Sequence, residues 1–204
     1  RAASVARRFR GLRIGQIGSR IDFFWTTIVN ESELLERFGI EILPLDIIEF
    51  VAAVKAAAAR RKRSYAAELA RLKRRVRFSG FRDDGPPTMM LAMRDVMKER
   101  AAAEGLSAYA VQSFMSICRE LGCMVEYPTA LAADAGIPVA CETDVHGAVS
   151  AAMLQAASFD REPVFLADLT VRHPEDDDGI LLWHCSAPPS MRDPSCPEEV
   201  ADHW

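Results

Sequence analysis

Short apolar runs alternate with amphipathic, helix-like stretches along most of this 204-residue chain. A short apolar run that ends in glycine or a polar residue is typical of a buried strand. Strands are predicted on this basis at residues 12–18, 40–46, 109–114, 137–144, 163–168 and 179–185. Because helical patterns separate nearly all of these runs, the sequence predicts an α/β fold. We expect a parallel sheet with helices on both faces, as in a flavodoxin-like or Rossmann-like three-layer sandwich.

The longest helical pattern spans residues 47–78 and carries many of the basic residues of the chain. Its lysines and arginines are interleaved with alanine and leucine at helical spacing, which favours a solvated or subunit-facing helix. Nucleic-acid binding through this segment is the alternative. Four methionines of a second predicted helix, at 88–103, recur at helical spacing and are expected to pack in the core: Met89, Met90, Met93 and Met97.

Composition narrows the class of protein only a little. The chain has 25 basic and 29 acidic residues, and its net charge of −4 favours no particular partner. No apolar run approaches the roughly 18 residues that span a bilayer. The five cysteines lack metal-finger spacing, so reduced thiols in the cytoplasm are expected. The opening residues lack both a methionine and the apolar core of a signal peptide. We therefore expect this sequence to be a fragment of a longer protein.

Three predicted strands end in side chains that bind metals or transfer protons. Residues 137–144 read IPVACETD, an apolar run that ends in Glu142 and Asp144 just before a helical pattern. The run at 163–168 ends in Asp168, and His184 lies at the end of the last run. The carboxyl ends of parallel strands form one edge of a sheet, where ligands bind. If the strands are neighbours, Glu142, Asp168 and His184 converge there.

Two carboxylates and an imidazole suit a divalent cation, and this donor set favours Mn²⁺, Fe²⁺ or Co²⁺. With such a cation, a carboxylate can move a proton between adjacent carbons through an enediol, without an organic cofactor. Structural roles are open to the same residues. Asp144 lies closest to the helix start and is expected to cap it. For Asp168 the alternative to metal binding is an ordinary hydrogen bond to a loop. For His184 the alternative is a structural role.

The residues around these acids resemble the L-fucose isomerase and L-arabinose isomerase group of aldose–ketose isomerases. The resemblance is carried by the segments ACETDVHG at 140–147 and VFLADL at 164–169, followed by Trp183 and His184. It implies that Glu142 and Asp168 are both the metal ligands and the proton-transfer pair, with Mn²⁺ or another divalent cation such as Mg²⁺ or Co²⁺ as cofactor. His184 is similar to a histidine ligand of the arabinose branch.

The resemblance extends to weaker matches elsewhere in the chain. Gln112 and Arg20 fall where side chains that contact the sugar are expected. Residues 1–186 are similar to the second domain of these enzymes, and residues 187–204, which include His203, to an irregular passage toward a C-terminal domain that supplies a further histidine ligand. The resemblance implies a small-molecule sugar substrate and a homo-oligomer. From the residues themselves, neither a nucleic-acid partner nor a membrane partner is expected.

Two departures from the group keep a second hypothesis open. Ser186 stands where relatives commonly have a glycine, and the late histidine ligand has no counterpart in these residues. A non-catalytic sugar-binding or assembly domain on the same fold is therefore the alternative to an aldose–ketose isomerase.

Overall fold

The computed structural model describes residues 2–114, 116–184 and 186–202. Cys185 and His203, which enter the predictions above, lie outside these residues. The helices are α1 (Ala2–Phe9), α2 (Glu31–Phe38), α3 (Ile47–Arg60), α4 (Lys62–Leu72), α5 (Gly85–Glu104), α6 (Ser116–Leu121), α7 (Glu126–Asp134) and α8 (Val145–Ala157). The strands are β1 (Arg13–Ile17), β2 (Glu41–Leu45), β3 (Val76–Ser79), β4 (Ala108–Val111), β5 (Val139–Ala140), β6 (Asp168–Arg172), β7 (Ile180–Trp183) and β8 (Glu198–Ala201).

A four-stranded parallel sheet in the order β2-β1-β4-β5 forms the centre of the fold. Strand β1 therefore has β2 on one side and β4 on the other. The strand order thus reverses at β1, because β2 is added on one side of it and β4 and β5 on the other. Helices cover both faces of the sheet. The predicted α/β sandwich is thereby confirmed.

The residues of β4 show how the sheet separates two apolar cores. Side chains alternate between the faces of a strand. Ala108 and Ala110 pack with residues of α8, whereas Tyr109 and Val111 pack with α3, α4, α5 and α6. All four side chains are fully buried. The hydroxyl of Tyr109 donates a 2.8 Å hydrogen bond to the carbonyl of Met97 in α5, so the large buried ring leaves no unpaired polar atom.

The predicted core of methionines is present in α5. Met90, Met93 and Met97 are buried, and Met89 packs against the same core. Gly105 ends this helix in the left-handed conformation, with a φ of +65°. Such a residue commonly ends an α-helix, and glycine adopts this conformation with least strain.

The segment predicted as one helix at 47–78 forms α3, α4 and the short strand β3. Arg61 separates the two helices, and its side chain makes ion pairs with Asp95 and Glu99 of α5. Other basic residues of this segment are also paired with acids inside the fold, Lys55 with Glu120 and Arg77 with Glu199. These ion pairs favour the interpretation of residues 47–78 as a solvated face of the protein over their interpretation as an arm that binds nucleic acid.

The prediction that the chain is irregular after His184 is wrong in part. Residues 198–201 form β8, which pairs in parallel with β3, and Val200 of β8 is buried in the core. The strand is short, follows Pro197 and contains two glutamates, so no apolar pattern marks it in the sequence.

The predictions of buried parallel strands at 163–168 and 179–185 are also wrong. Residues 163–167 have no regular structure, and β6 begins at Asp168. Strands β6 and β7 form a separate antiparallel hairpin, with every residue of both strands exposed. A left-handed turn precedes this region, with a φ of +61° at Phe159 and +58° at Asp160. Among the described helices, none has the length and apolar character needed to cross a membrane.

Candidate functional site

The candidate site lies at the carboxyl edge of the central sheet, between β1 and β4. In sheets of this type the strand order reverses at one point, and ligands bind in the crevice outside the strand ends there. Here the reversal lies between β1 and β4, because β2 and β4 flank β1 on opposite sides. Residues 18–20 follow β1, residues 112–114 follow β4, and residues 141–144 follow β5, so three loops meet at this edge.

The first two loops meet at Gly18 and Gln112. The backbone N–H of Gln112 donates a 2.9 Å hydrogen bond to the carbonyl of Ile17. Gly18 has a φ of +80°, and a Cβ atom placed on it would lie 2.8 Å from the Gln112 side-chain oxygen and 2.9 Å from its Cβ. Glycine is thus required here both by conformation and by space. Its lack of a side chain allows the Gln112 amide to lie against the loop after β1.

The third loop presents Glu142 from a strained backbone. Glu142 and Thr143 both have left-handed conformations, with φ values of +61° and +57°. A branched residue such as threonine rarely adopts this conformation, and strain of this kind often occurs at functional sites. The backbone N–H of Glu142 donates a 3.1 Å hydrogen bond to the hydroxyl of Ser113, and that of Thr143 a 3.0 Å bond to the carbonyl of Val111.

Thr143 links this loop to the loop after β1. Its hydroxyl donates a 3.2 Å hydrogen bond to the carbonyl of Ser19, and its side chain is buried. The three loops are therefore connected directly by hydrogen bonds through Ser19, Ser113 and Thr143. Sequence reasoning missed these supporting residues, because isolated serines and threonines in loops give no pattern.

Glu142 is the residue at this edge whose acidity the fold changes. The pKa of its carboxyl is raised, first by burial and then by the negative charges of Asp168 and Asp144. The structure therefore brings the predicted pair, Glu142 and Asp168, within electrostatic range of each other. Glu142 is half-buried, whereas Asp168 is exposed at the start of β6.

Asp144 has the structural role predicted for it. It is the N-cap of α8, and its Oδ1 accepts a 2.9 Å hydrogen bond from the N–H of Gly147. A carboxylate at this position satisfies a backbone donor and interacts favourably with the helix dipole. Its charge also acts on Glu142, two residues earlier.

His184 lies beside the loop that carries Glu142. The hydroxyl of Ser186 is 3.3 Å from Nδ1 of His184 and 3.4 Å from Sγ of Cys141, which precedes Glu142. Asp168 is the register partner of Trp183, the residue before His184. His184 also lines a cavity of about 590 Å³ between α5, α7 and the segment 187–201, whose lining includes Tyr127 and Glu198.

The described residues nevertheless contain no group of three histidine, cysteine or acidic side chains arranged to hold a metal ion. Glu142 and Asp168 lie within electrostatic range of each other, and His184 does not complete a three-ligand set with them.

Arg20 holds its own loop together. Its Nη1 donates hydrogen bonds to the carbonyls of Ile21, Asp22 and Phe24, and its guanidinium lies 5.4 Å from the centre of the Trp25 ring. The loop continues to the site, because Phe24 packs on Phe114 of the loop after β4 at a centroid distance of 5.8 Å.

The chain is similar in sequence to three curated sugar isomerases. It is 27% identical over 187 residues to the sulfoquinovose isomerase of Alkalicoccus urumqiensis, a match that covers 92% of this chain and 41% of the relative. It is 26% identical over 183 residues to the sulfoquinovose isomerases of Priestia aryabhattai and Priestia megaterium (strain ATCC 12872 / QMB1551), covering 90% of this chain and 40% of each relative. No family model matches the chain.

The chain thus spans about two fifths of the length of these relatives. Their names agree with the resemblance to sugar isomerases drawn from the residues around Glu142 and Asp168. The closer assignment to the fucose and arabinose branches stays a prediction.

Proposed function

We propose that this chain is the part of an aldose–ketose isomerase that carries the proton-transfer carboxylates, Glu142 and Asp168. The observation that supports this most directly is the raised pKa of Glu142, caused by burial and by the charge of Asp168, at the carboxyl edge of the sheet. The similarity to sulfoquinovose isomerases over most of the chain supports the same reaction class.

The reaction needs one proton to move between neighbouring carbons of an open-chain sugar. A carboxylate base removes the proton from C2, and the electron pair of that bond forms the C1–C2 double bond of an enediol. The π electrons of the C1 carbonyl move to O1, which takes up one proton, and this gain balances the proton that the C2 hydroxyl later loses. The protonated base returns a proton to C1, while the C2 hydroxyl loses its proton and becomes the ketone. Glu142 suits this role because a raised pKa brings a carboxyl closer to the working pH, where proton transfer in both directions is efficient.

Asp168 and the loop residues serve the same step. A second carboxylate beside the base can exchange the proton of the sugar hydroxyls, because those oxygens gain and lose a proton during the reaction. The hydrogen bonds from Glu142 N–H to Ser113 and from Thr143 to Ser19 hold the base in place. To Gln112, which lies against Gly18 at the same edge, we assign a hydrogen bond to a sugar hydroxyl.

A divalent cation, Mn²⁺ first, fits this pair of residues in part. A cation beside Glu142 would offset the negative charge of Asp168 that raises the pKa of Glu142, and oxygen donors are what Mn²⁺ and Mg²⁺ prefer. Bound there, the cation would polarise the sugar oxygens as a Lewis acid. Glu142 and Asp168 would hold it, with His184 as the third candidate, and further ligands would come from outside the described residues.

The substrate class that we propose is a sulfonated aldose, after the sugar in the names of the relatives. Arg20 is the residue proposed for the anionic group. Three loop carbonyls fix its Nη1, so the guanidinium is oriented before a ligand arrives. A planar guanidinium binds tetrahedral oxyanions through paired N–H groups. Arg20→Met is expected to raise KM for a sulfonated aldose about tenfold more than KM for the unsulfonated aldose, because the second value reports the lost loop contacts alone.

The first experiment combines metal binding with proton exchange. Mn²⁺ is titrated by calorimetry into the natural protein that carries this sequence, into Glu142→Gln and into Glu36→Gln, an exposed glutamate of α2 as matched control. Incorporation of solvent deuterium at C2 of an aldose is followed by NMR for the same variants. We expect that, of these variants, only Glu142→Gln loses both the heat of Mn²⁺ binding and the deuterium incorporation at C2. Deuterium incorporation at the wild-type rate in Glu142→Gln would contradict the assignment of the base.

The second candidate is a sugar-binding domain without catalysis. It is favoured by the lack of a three-ligand group among the described residues. It predicts that the natural protein binds a sugar with equal affinity with and without Mn²⁺ and incorporates no deuterium at C2. The isomerase proposal predicts incorporation that depends on the cation.

A further inference from the structure

The hairpin formed by β6 and β7 exposes apolar side chains along both of its strands. Leu169 is 75% exposed, Leu182 54% and Trp183 61%, and Val171, Ile180 and Leu181 are also exposed. Two strands without a further layer are marginally stable in water, and exposed edges pair readily with other strands. Patches of this kind commonly mark an interaction surface.

The sequence of β6 specifies what can pair with its outer edge. The strand reads Asp-Leu-Thr-Val-Arg, and β7 occupies only one of its edges in the part of the chain that the structure describes. If two copies of β6 pair antiparallel about a two-fold axis at Thr170, Asp168 of each copy lies opposite Arg172 of the partner subunit. Leu169 then lies opposite Val171 of the partner subunit, and the two threonines face each other. Opposite charges, apolar pairs and threonine pairs all stabilise directly opposed positions.

We propose that β6 pairs with β6 of a second copy of this chain, forming a four-stranded antiparallel sheet across a two-fold dimer interface. The match of Asp168 with Arg172 and of Leu169 with Val171 arises only when the strand meets itself, which favours a second copy over an unrelated partner. An interface of this kind is self-complementary by symmetry.

Two local features are compatible with this pairing. The register with β7 shifts between Leu169 and Arg172, and such a bulge increases strand twist. A second β6 has the same twist by symmetry, so the two edges can follow each other. Arg172 pairs with Asp177 at 2.5 Å, but both side chains are largely exposed, and such pairs contribute little to stability. The guanidinium is thus available to exchange partners.

The pairing also brings an arginine side chain of the partner subunit to the candidate site. Asp168 acts electrostatically on Glu142, and in the dimer it would lie opposite Arg172 of the partner subunit. The second copy would thereby contribute a positive charge beside the carboxylate pair. The interface itself does not depend on the proposed function, because it follows from the exposed surface and the charge pattern of β6.

Reversal of one charge at a time tests the proposal. Asp168→Arg places two arginines opposite each other at both ends of the interface, and Arg172→Asp places two aspartates there. A one-to-one mixture of the two variants restores an opposite-charge pair at each end. The mass in solution is measured by size-exclusion chromatography with light scattering for wild type, for each variant and for the mixture.

We expect each variant alone to have half the mass of wild type, and the mixture to recover the wild-type mass. Arg119→Asp, an exposed charge reversal on α6, is the control and keeps the wild-type mass. A monomeric wild type, a full-sized Asp168→Arg variant or a mixture that stays at half mass would each overturn the proposal. Recovery in the mixture also shows that both variants are folded. Because mass is measured without substrate or metal, failure here leaves the isomerase proposal untouched.

Discussion

The carboxyl of Glu142 lies within electrostatic range of Asp168, and together with burial this neighbour raises the pKa of Glu142. A raised pKa means that the fold resists ionisation of the group. The stabilising contribution of the protonated carboxyl is therefore complete below the ordinary glutamate pKa of about 4.3. It is lost as the pH rises through the pKa of the folded state.

Glu142→Gln should consequently stabilise the protein at neutral pH, because it removes a charge that the fold disfavours. We expect the melting temperature of the variant to exceed that of wild type at pH 7, with a difference that shrinks as the pH falls toward 4. Differential scanning fluorimetry across this range, without metal, measures it. Glu36→Gln on the exposed face of α2 should show no such pH-dependent difference. A wild type as stable as Glu142→Gln at pH 7 would contradict the raised pKa.

Gly18 tests whether the contact with Gln112 matters beyond the backbone conformation. A side chain in the left-handed region costs about 1–2 kcal/mol of unfolding free energy. Gly18→Ala should lose this amount and more, because the new Cβ would lie 2.8 Å from Gln112 Oε1, and overpacking adds about 1–3 kcal/mol. Urea denaturation measures the free energy, and KM for the sugar reports the displaced Gln112.

Gly11→Ala is the matched control for Gly18→Ala. Gly11 has a φ of +72°, and a Cβ there would have no atom within 4 Å. Gly11→Ala should therefore lose only the unfolding free energy that the left-handed conformation costs, about 1–2 kcal/mol, and its KM for the sugar should be unchanged. Equal losses in both variants would mean that Gln112 moves aside freely and is not held at the site.

Thr143 tests the link between the loops after β5 and β1. Thr143→Val keeps the shape and the branched Cβ but removes the hydrogen bond to the Ser19 carbonyl. We expect a loss of about 1 kcal/mol in unfolding free energy, the usual contribution of one hydrogen bond, and a several-fold lower kcat as Glu142 becomes less fixed. Thr129→Val removes a similar buried hydrogen bond inside α7 and should lower stability without a change in kcat. If both variants kept full kcat, the link would have no functional role.

The sequence predicts the central sheet well because its strands are short, mainly apolar runs. Strand β4 is an example, since all of its side chains are buried and glycine and polar residues flank it. The position of Glu142 at the carboxyl edge could be predicted for the same reason, because this acid lies in the loop that follows β5. The electrostatic proximity of Asp168 to Glu142 arises differently from the predicted way, because the run before Asp168 is not a strand of the central sheet.

The hairpin shows where such reasoning stops. The apolar residues at 164–167 and 180–183 have the same pattern as a buried parallel strand, yet neither joins the central sheet. An apolar run indicates that a segment packs against other apolar residues, but it does not identify the strand or surface against which the segment packs. The left-handed residues Phe159 and Asp160 lie in the turn after α8, and neither residue type reveals that conformation in the sequence. Supporting hydrogen bonds, such as the one that the Glu142 N–H donates to the Ser113 hydroxyl, cannot be predicted before the loops are placed together.

Asp144 separates the effect of charge from the effect of capping. Asp144→Asn keeps an N-cap acceptor for Gly147, because asparagine caps helices about as well as aspartate, but removes a charge that raises the pKa of Glu142. The pKa of Glu142 should fall. If Glu142 is the base, the acidic limb of the pH profile of kcat/KM should move to lower pH, while stability at neutral pH is kept or improved.

Two further variants complete this test. Asp144→Ala removes the cap as well and should cost about 1 kcal/mol of stability, with the same shift of the acidic limb. Asp46→Asn makes the identical change at the N-cap of α3, where Asp46 accepts hydrogen bonds from Ile48 and Glu49, and should leave the pH profile in place. An acidic limb that stays fixed in Asp144→Asn would assign it to a group other than Glu142, since the charge of Asp144 acts on that carboxyl directly.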